Sequence, residues 1–329
     1  MMRAAKRIRI ETGARLHFGL LDTSPPFGGL GAMIDQPATI VELSAAEQWT
    51  IASAYQQRAC PIAKRFCQVI GQGSLPAVAI DVVKAAPPHR GFGSGTQLSL
   101  AIAEGLRQLT GQEMTDETLA AEIADRGKRS AVGVHGFFNG GMIFETGDDD
   151  HQTLNPIRQR VELPERWRLL TLSPATVAET VSGNHESDHF ARLQSEPLRS
   201  AANRLRDELR RHILDDILPA ARAGRFTDFA RAIETYNHAS GMLFAEAQGG
   251  PYNGRWVTEL IASLQNAGAI GVGQSSWGPG VFAWCEDESS ANALAEQFAS
   301  PTMNIQIARI KHTGRTVSSV GHAVHDNQR

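Results

Sequence analysis

The sequence predicts an α+β protein of two domains. A strand-like segment feeds a glycine-rich turn at residues 91–96 that opens an amphipathic helix. An acidic, proline-bearing stretch at 147–165 marks a boundary, and beyond it a helical block leads into two strands, a helix and another strand. These features divide the chain into 1–160, an N-terminal mixed α/β domain with a glycine-rich phosphate loop, 161–320, a C-terminal ferredoxin-like α+β domain, and 321–329, a frayed tail.

Residues 8–11, 38–43, 49–54 and 78–83 alternate or run apolar over strand lengths. Between the first two, Ser24-Pro25-Pro26-Phe27-Gly28-Gly29-Leu30-Gly31 is too dense in proline and glycine for regular structure. Residues 59–71 place Ile62, Phe66, Val69 and Ile70 near helical spacing, and residues 94–109 do the same with Leu98, Ile102, Leu106 and Leu109. A helix over 116–128 opens on Asp116 and Glu117 and closes on Arg126, Lys128 and Arg129, the polarity that the helix dipole favours. Residues 140–145 read as a strand, and Asp148-Asp149-Asp150 as a solvated turn. In the second half, 167–172 is a strand and 190–223, 226–246 and 255–267 are helical. An apolar, turn-rich segment follows, then a helix at 289–298 and a strand at 303–310.

The bulk properties exclude several classes. With 329 residues, 42% of them apolar, the chain can bury a large core. A net charge of -3 gives no global reason to bind nucleic acid or a membrane surface, so any polyanion site is local. No signal-peptide pattern follows Met1, and no uncharged apolar run reaches the roughly 18–20 residues of a membrane span. A cytoplasmic protein is expected. Cys60, Cys67 and Cys285 match no common zinc or redox spacing and are read as reduced thiols.

The chemistry concentrates at Pro87-Pro88-His89-Arg90-Gly91-Phe92-Gly93-Ser94-Gly95-Thr96-Gln97. Glycines let backbone approach a ligand closely, and the helix that follows has first-turn N–H groups without internal partners. The helix dipole adds positive potential, which makes an anion site. Arg90 would pair with phosphate, while Ser94, Thr96 and Gln97 would donate hydrogen bonds or supply a metal-bound oxygen. The pattern is neither a P-loop nor the dinucleotide fingerprint.

Pro87, Gly91, Gly93 and Ser94 resemble the phosphate motif of the GHMP superfamily, best known for small-molecule kinases. The continuation Gly95-Thr96-Gln97-Leu98 is more similar to the beta-ribofuranosylaminobenzene 5'-phosphate synthases, since the kinases usually carry serines and alanines there. Four further segments resemble the same synthases in order: Arg15-Leu16-His17-Phe18-Gly19-Leu20, residues 133–141, Gly183-Asn184-His185-Glu186, and residues 271–279. The resemblance implies the two-domain GHMP fold with its active site between the domains. It implies an enzyme that joins 5-phosphoribosyl 1-diphosphate to 4-aminobenzoate or 4-hydroxybenzoate, releasing carbon dioxide and diphosphate, early in tetrahydromethanopterin biosynthesis. It also implies Mg²⁺ as cofactor and a homodimer. A GHMP-type ATP-dependent kinase and a non-catalytic phosphometabolite-binding protein are the alternatives.

Within that frame, Arg15 and His17 lie two apart on a strand and share a face. Arg15 would pair with phosphate, and His17 would donate to it or act on the ring, a core histidine being the other reading. Asp22 would ligate Mg²⁺ or stabilise the cationic ribosyl centre, or cap a turn. Gly183 would belong to a second anion site with Glu186 as a metal ligand, or Glu186 would cap a helix; Ser94 is the other candidate metal ligand. Gln274, Ser275 and Ser276 would orient a carboxylate or phosphate. Trp277 would stack on an aromatic ring or pack beneath its turn. His135, flanked by glycines, is a further substrate-binding candidate.

Overall fold

A computed structural model describes residues 7–147, 153–176 and 205–320. Its first sheet grows from two long strands, β1 (Arg7–Leu20) and β2 (Gly29–Ala45), paired antiparallel along almost their whole length. Ile8 and Ile10 turn inward between Arg7 and Arg9, so period-two burial fixes the register. The C-terminal half of β2 pairs with β4 (Val78–Lys84), on whose far side lies the short β3 (Thr50–Ile51). The start of β2 pairs instead with β5 (Met142–Glu145), which carries β6 (Ile157–Val161). A second sheet has the order β10 (Met303–Arg309), β7 (Arg168–Pro174), β9 (Val281–Cys285), β8 (Ile270–Gln274). The chain then returns to the first sheet, where β11 (Thr316–Val320) pairs with β1. Residues 316–320, grouped with the C-terminal half by sequence, thus hydrogen bond to the N-terminal sheet.

Helices α1 (Ser53–Val69) and α2 (Ser94–Thr110) cover one face of the first sheet and bury Phe66, Leu100 and Leu106 against Ile10 and Leu43. Helix α1 begins within the segment read as a strand at 49–54. Its buried residues start only at Ala59, so its first turns carry no apolar period to read. The helix expected to reach residue 128 ends near Ala124, after a π-helical stretch at Thr118–Ile123. Asp125 and Gly127 then adopt left-handed φ values of 58° and 96°, which stops it. Residues 132–139, read only as a glycine-flanked segment, form helix α3 (Val132–Asn139).

The other face of the first sheet meets the second sheet across a π-helical stretch at His212–Ile217, α4 (Leu218–Arg222) and α5 (Phe226–Met242). Phe18 of β1 contacts Phe282 and Trp284 of β9, and Trp167 stacks on Phe229 at 4.9 Å. A shared apolar core of this kind joins the halves firmly, because each buried aromatic contributes roughly 1.5–3 kcal/mol. After α6 (Ala245–Gln248), helices α7 (Gly254–Asn266) and α8 (Glu288–Gln297) close the outer face of the second sheet. Asp287 and Ser290 form a reciprocal capping box at the start of α8. The three cysteines are free, and burial, aided by Asp287, pushes the Cys285 thiol up to about 12. Among the described residues, no helix is long and apolar enough to cross a membrane.

Candidate active site

Gly93 caps α2 from the left-handed region, with φ 69°, and its carbonyl accepts from the Thr96 and Gln97 amides at 3.0 and 3.1 Å. The Ser94 and Gly95 amides are left at the open end of the helix, where the dipole is positive. Gly91 has a different task. At φ 83°, a Cβ placed on it would stand 2.1 Å from the Ser275 carbonyl oxygen, so glycine is needed for the C-terminal domain to dock on the turn.

The end of β1 lies between these two elements. The Arg15 amide donates to Phe92 O at 2.9 Å, and the His17 amide donates to Ser275 Oγ at 3.1 Å. Ser275 Oγ in turn donates to Gly91 O at 2.8 Å, which ties strand, glycine turn and C-terminal domain together. Further along β1, three α5 side chains donate to successive carbonyls: Asn237 to Phe18, Tyr236 to Gly19 and Ser240 to Leu20, at 2.6, 2.7 and 2.8 Å. Asn237 also joins the Gln274 backbone through both ends of its amide, at 2.9 and 3.0 Å.

Together these contacts frame an interdomain cleft of about 320 Å³ lined by Arg15, His17, Thr96, Ser240, Ser276 and Trp277 among others. The loop at residues 125–130 supplies one wall with Arg126, Lys128 and Arg129. The acid there, Asp125, is held by Lys128 at 2.7 Å, so the wall is net positive and attracts anions. The lining also includes Phe244 and Trp277, in edge-to-face contact at 5.2 Å. The cleft therefore combines an anion-attracting side with an aromatic side.

Burial, and then the nearby Arg15 charge, hold the His17 imidazole well below its ordinary pKa, so it is neutral at neutral pH. Its Nε2 lies 3.0 Å from Ser130 Oγ. Ser130 also neighbours Glu145, a wholly buried carboxyl. No hydrogen bond of full geometry reaches the Glu145 oxygens. Burial pushes this group up to about 8, and nearby Asn155, Ser130 and the Ala131 amide offset only part of the shift.

The other expected residues are distributed unevenly. Ser94 starts α2, and Gln274, Ser276 and Trp277 line the cleft. Gln274 uses its side chain to hold Asn253 N and Ser276 O, both at 2.7 Å. Ser275 is fully buried beneath the cleft, where it serves the docking network above. Gln97 is wholly buried, accepting from Thr12 Oγ1 at 2.8 Å and donating to Gly133 O at 2.9 Å. Arg90 points to Ala175 O at 3.0 Å, and His135 Nε2 to Asn155 O at 2.6 Å; neither lines the cleft. Asp22 caps its own turn by accepting from the Ser24 amide at 3.1 Å, with Arg206 at 3.5 Å. Gly183 and Glu186 lie outside the described residues. Sequence reasoning passed over Glu145, the loop at 125–130, and Asn237 and Ser240. Of these, only the glycine inside the basic run 126–129 carried a local signal, a breaker that could have exposed it as a loop.

Residues 56–142 match the GHMP kinases N terminal domain, and residues 217–301 match the GHMP kinases C terminal family. The beta-ribofuranosylphenol 5'-phosphate synthase of Methanothermobacter thermautotrophicus is 29% identical over 315 residues, covering 87% of this chain and 92% of that one. Its namesake from Archaeoglobus fulgidus is 25% identical over 312 residues, covering 89% and 93%. Among solved structures, the L. major mevalonate kinase in complex with R-mevalonate aligns with a TM-score of 0.69 at 14% identity, covering 92% and 96% of the two chains. The mevalonate diphosphate decarboxylase of Staphylococcus aureus aligns with a TM-score of 0.64 at 13% identity, covering 95% and 98%. These two share the fold. Both domain matches, together with the full-length relatives, place the chain in the GHMP superfamily and, within it, in the beta-ribofuranosylaminobenzene 5'-phosphate synthase family.

Proposed function

We propose that the chain condenses 5-phosphoribosyl 1-diphosphate with a 4-substituted benzoate, releasing carbon dioxide and diphosphate. The relatives are named for a ribosylated phenol, which favours 4-hydroxybenzoate over 4-aminobenzoate as the acceptor here. The observation that carries the proposal is one cleft with an anion-attracting side at the α2 N-terminus and the 125–130 loop, and an aromatic side at Phe244 and Trp277.

In the reaction, the ring carbon bearing the carboxylate bonds to ribose C1 as the bond from C1 to diphosphate breaks. The bond to the carboxyl carbon then breaks, and its electrons restore aromaticity as carbon dioxide leaves. Helix N–H groups and loop cations stabilise the charge that develops on the departing diphosphate. A neutral His17, hydrogen bonded to Ser130 of the loop wall, suits positioning of the phosphoribosyl donor through a hydrogen bond and not proton abstraction from the phenol.

Magnesium belongs to the same proposal. To the turn the described residues bring two hydroxyls, Ser94 and Thr96, and among the described residues no group of three His, Cys, Asp or Glu side chains converges on a metal position. This donor set fits an ion carried largely by the diphosphate oxygens, which when bound neutralises leaving-group charge. A cytoplasmic homodimer serving tetrahydromethanopterin formation completes the reading; light scattering checks the dimer. With Mg²⁺, 5-phosphoribosyl 1-diphosphate and carboxyl-labelled 4-hydroxybenzoate, the protein is expected to release labelled carbon dioxide. No release with either benzoate, or thermal stabilisation by ATP in preference to the phosphoribosyl donor, would overturn the proposal.

A further inference from the structure

A second cavity, of about 360 Å³, adjoins the cleft through Asp125 and Arg126, which line both. Arg58 and Arg65 reach it from α1, where a separation of seven residues, two helical turns, puts them on one face. Arg126 completes a cluster of three guanidinium groups. None of the three forms an ion pair among the described residues. Arg65 Nε donates to Ile123 O at 2.7 Å and Arg126 Nη2 to Ser99 Oγ at 3.1 Å, contacts that orient the groups without neutralising them. The acid in the lining, Asp125, is already engaged by Lys128 at 2.7 Å. Burial lowers the Arg58 and Arg126 pKa values, and the Arg58 charge lowers Arg126 further, with Asp125 offsetting only part of the shift. The cluster therefore carries a cost that an anion would relieve.

Arg58 also reaches Gly95. A Cβ at that position would stand 2.8 Å from Arg58 Nη1, which places the guanidinium against the first turn of α2. The turn thus has a cation beside its free helix N–H groups. Guanidinium forks match phosphate oxygens in bidentate geometry, and three of them suit a diphosphate better than a monophosphate of about -1.5 to -2 charge.

We propose that Arg58, Arg65 and Arg126 form an anion site for diphosphate, continuous with the glycine turn through Arg58. For the origin of that diphosphate, the leaving group of a phosphoribosyl donor, the proposal rests on the synthase reading; the binding itself does not.

The test is calorimetric titration of inorganic diphosphate, and separately inorganic phosphate, into the full chain and its Arg58→Gln and Arg65→Gln variants. Each variant is expected to weaken diphosphate binding about tenfold, the loss of one charged hydrogen-bond pair, while in Arg65→Gln phosphate binding at the glycine turn changes by less than about twofold. Without anion, both variants are expected to unfold at the same or a higher temperature than the parent, because a like-charge repulsion is gone. Unchanged diphosphate affinity in both variants, or equal weakening of both anions in Arg65→Gln, overturns the site. Loss of labelled carbon dioxide release in the parent, with arginine-dependent diphosphate binding intact, instead overturns the synthase reading and leaves the site standing.

Discussion

Replacing Gln97 by methionine separates a structural role from a ligand-binding one. Gln97 stands in the glycine-rich motif, yet its side chain is fully buried and joins Thr12 of β1 to Gly133 of α3 by hydrogen bonds of 2.8 and 2.9 Å. Methionine has nearly the same volume, so the cavity contribution is small. What is lost is two hydrogen bonds, worth about 0.5–1.5 kcal/mol net each, and the Thr12 hydroxyl is left buried without its partner, while Gly133 O remains in the α3 ladder. Gln97→Met is therefore expected to destabilise the protein by roughly 2–4 kcal/mol, read as a lower urea midpoint by tryptophan fluorescence. Thr12→Val alone strands the Gln97 carbonyl and should cost about 1–2 kcal/mol. The double variant strands neither Thr12 nor Gln97, so it should be at least about 1 kcal/mol more stable than the sum of the single effects predicts. Phosphate affinity of folded Gln97→Met, measured by calorimetry, should stay within about twofold of the parent. A variant with the parent's urea midpoint and lost phosphate affinity would refute the reasoning and return Gln97 to the ligand.

Gly91→Ala, with its Cβ 2.1 Å from Ser275 O and φ at 83°, should cost more than about 2 kcal/mol by forcing the domains apart, seen as a lowered unfolding temperature. Native Glu145 keeps its proton to about pH 8, whereas the unfolded chain ionises near the ordinary 4.5, so the stability this group confers is present below 4.5 and lost as pH rises towards 8. Relative to the parent, Glu145→Gln should gain on the order of 4 kcal/mol between pH 5 and 8, measured by urea midpoints across that range. His17 slopes the other way: its native pKa is held well below 6.5, so stability falls as pH drops through that value, and His17→Asn should flatten the fall. Trp277→Ala removes the partner of Phe244 on the aromatic side and should raise KM for the benzoate about five- to tenfold while leaving that for the phosphoribosyl donor nearly unchanged, in steady-state kinetics.

Much of the fold was legible because it is written in short-range patterns. Ile8 and Ile10 alternate with arginines along β1, and Leu98, Ile102 and Leu106 repeat at helical spacing along α2, so burial leaves its period in the sequence. The start of α1 was not legible because its first turns bury nothing, and β6 was hidden in a polar stretch whose pairing with β5 needs no apolar run. At the site, the glycine turn announced itself through backbone chemistry that only glycine permits. Asp22 and Gln97 carry the same polar atoms whether they meet a ligand or their own backbone, and residue type alone does not separate the two.

By itself, then, the sequence determined a glycine-rich turn opening a helix, an N-terminal strand carrying Arg15 and His17, and a two-domain α+β chain of the synthase family. The tertiary structure decided which side chains face the cleft. It turned Gln97 and Ser275 inward as docking groups, brought Tyr236, Asn237 and Ser240 onto the β1 carbonyls, and drew the 125–130 loop up to the substrate cleft. The physical reason is range. Periodicity and glycine φ preferences act within a few residues, whereas a buried polar group is satisfied by a partner that only folding brings to it, as Asn237 is by Phe18, 219 positions away.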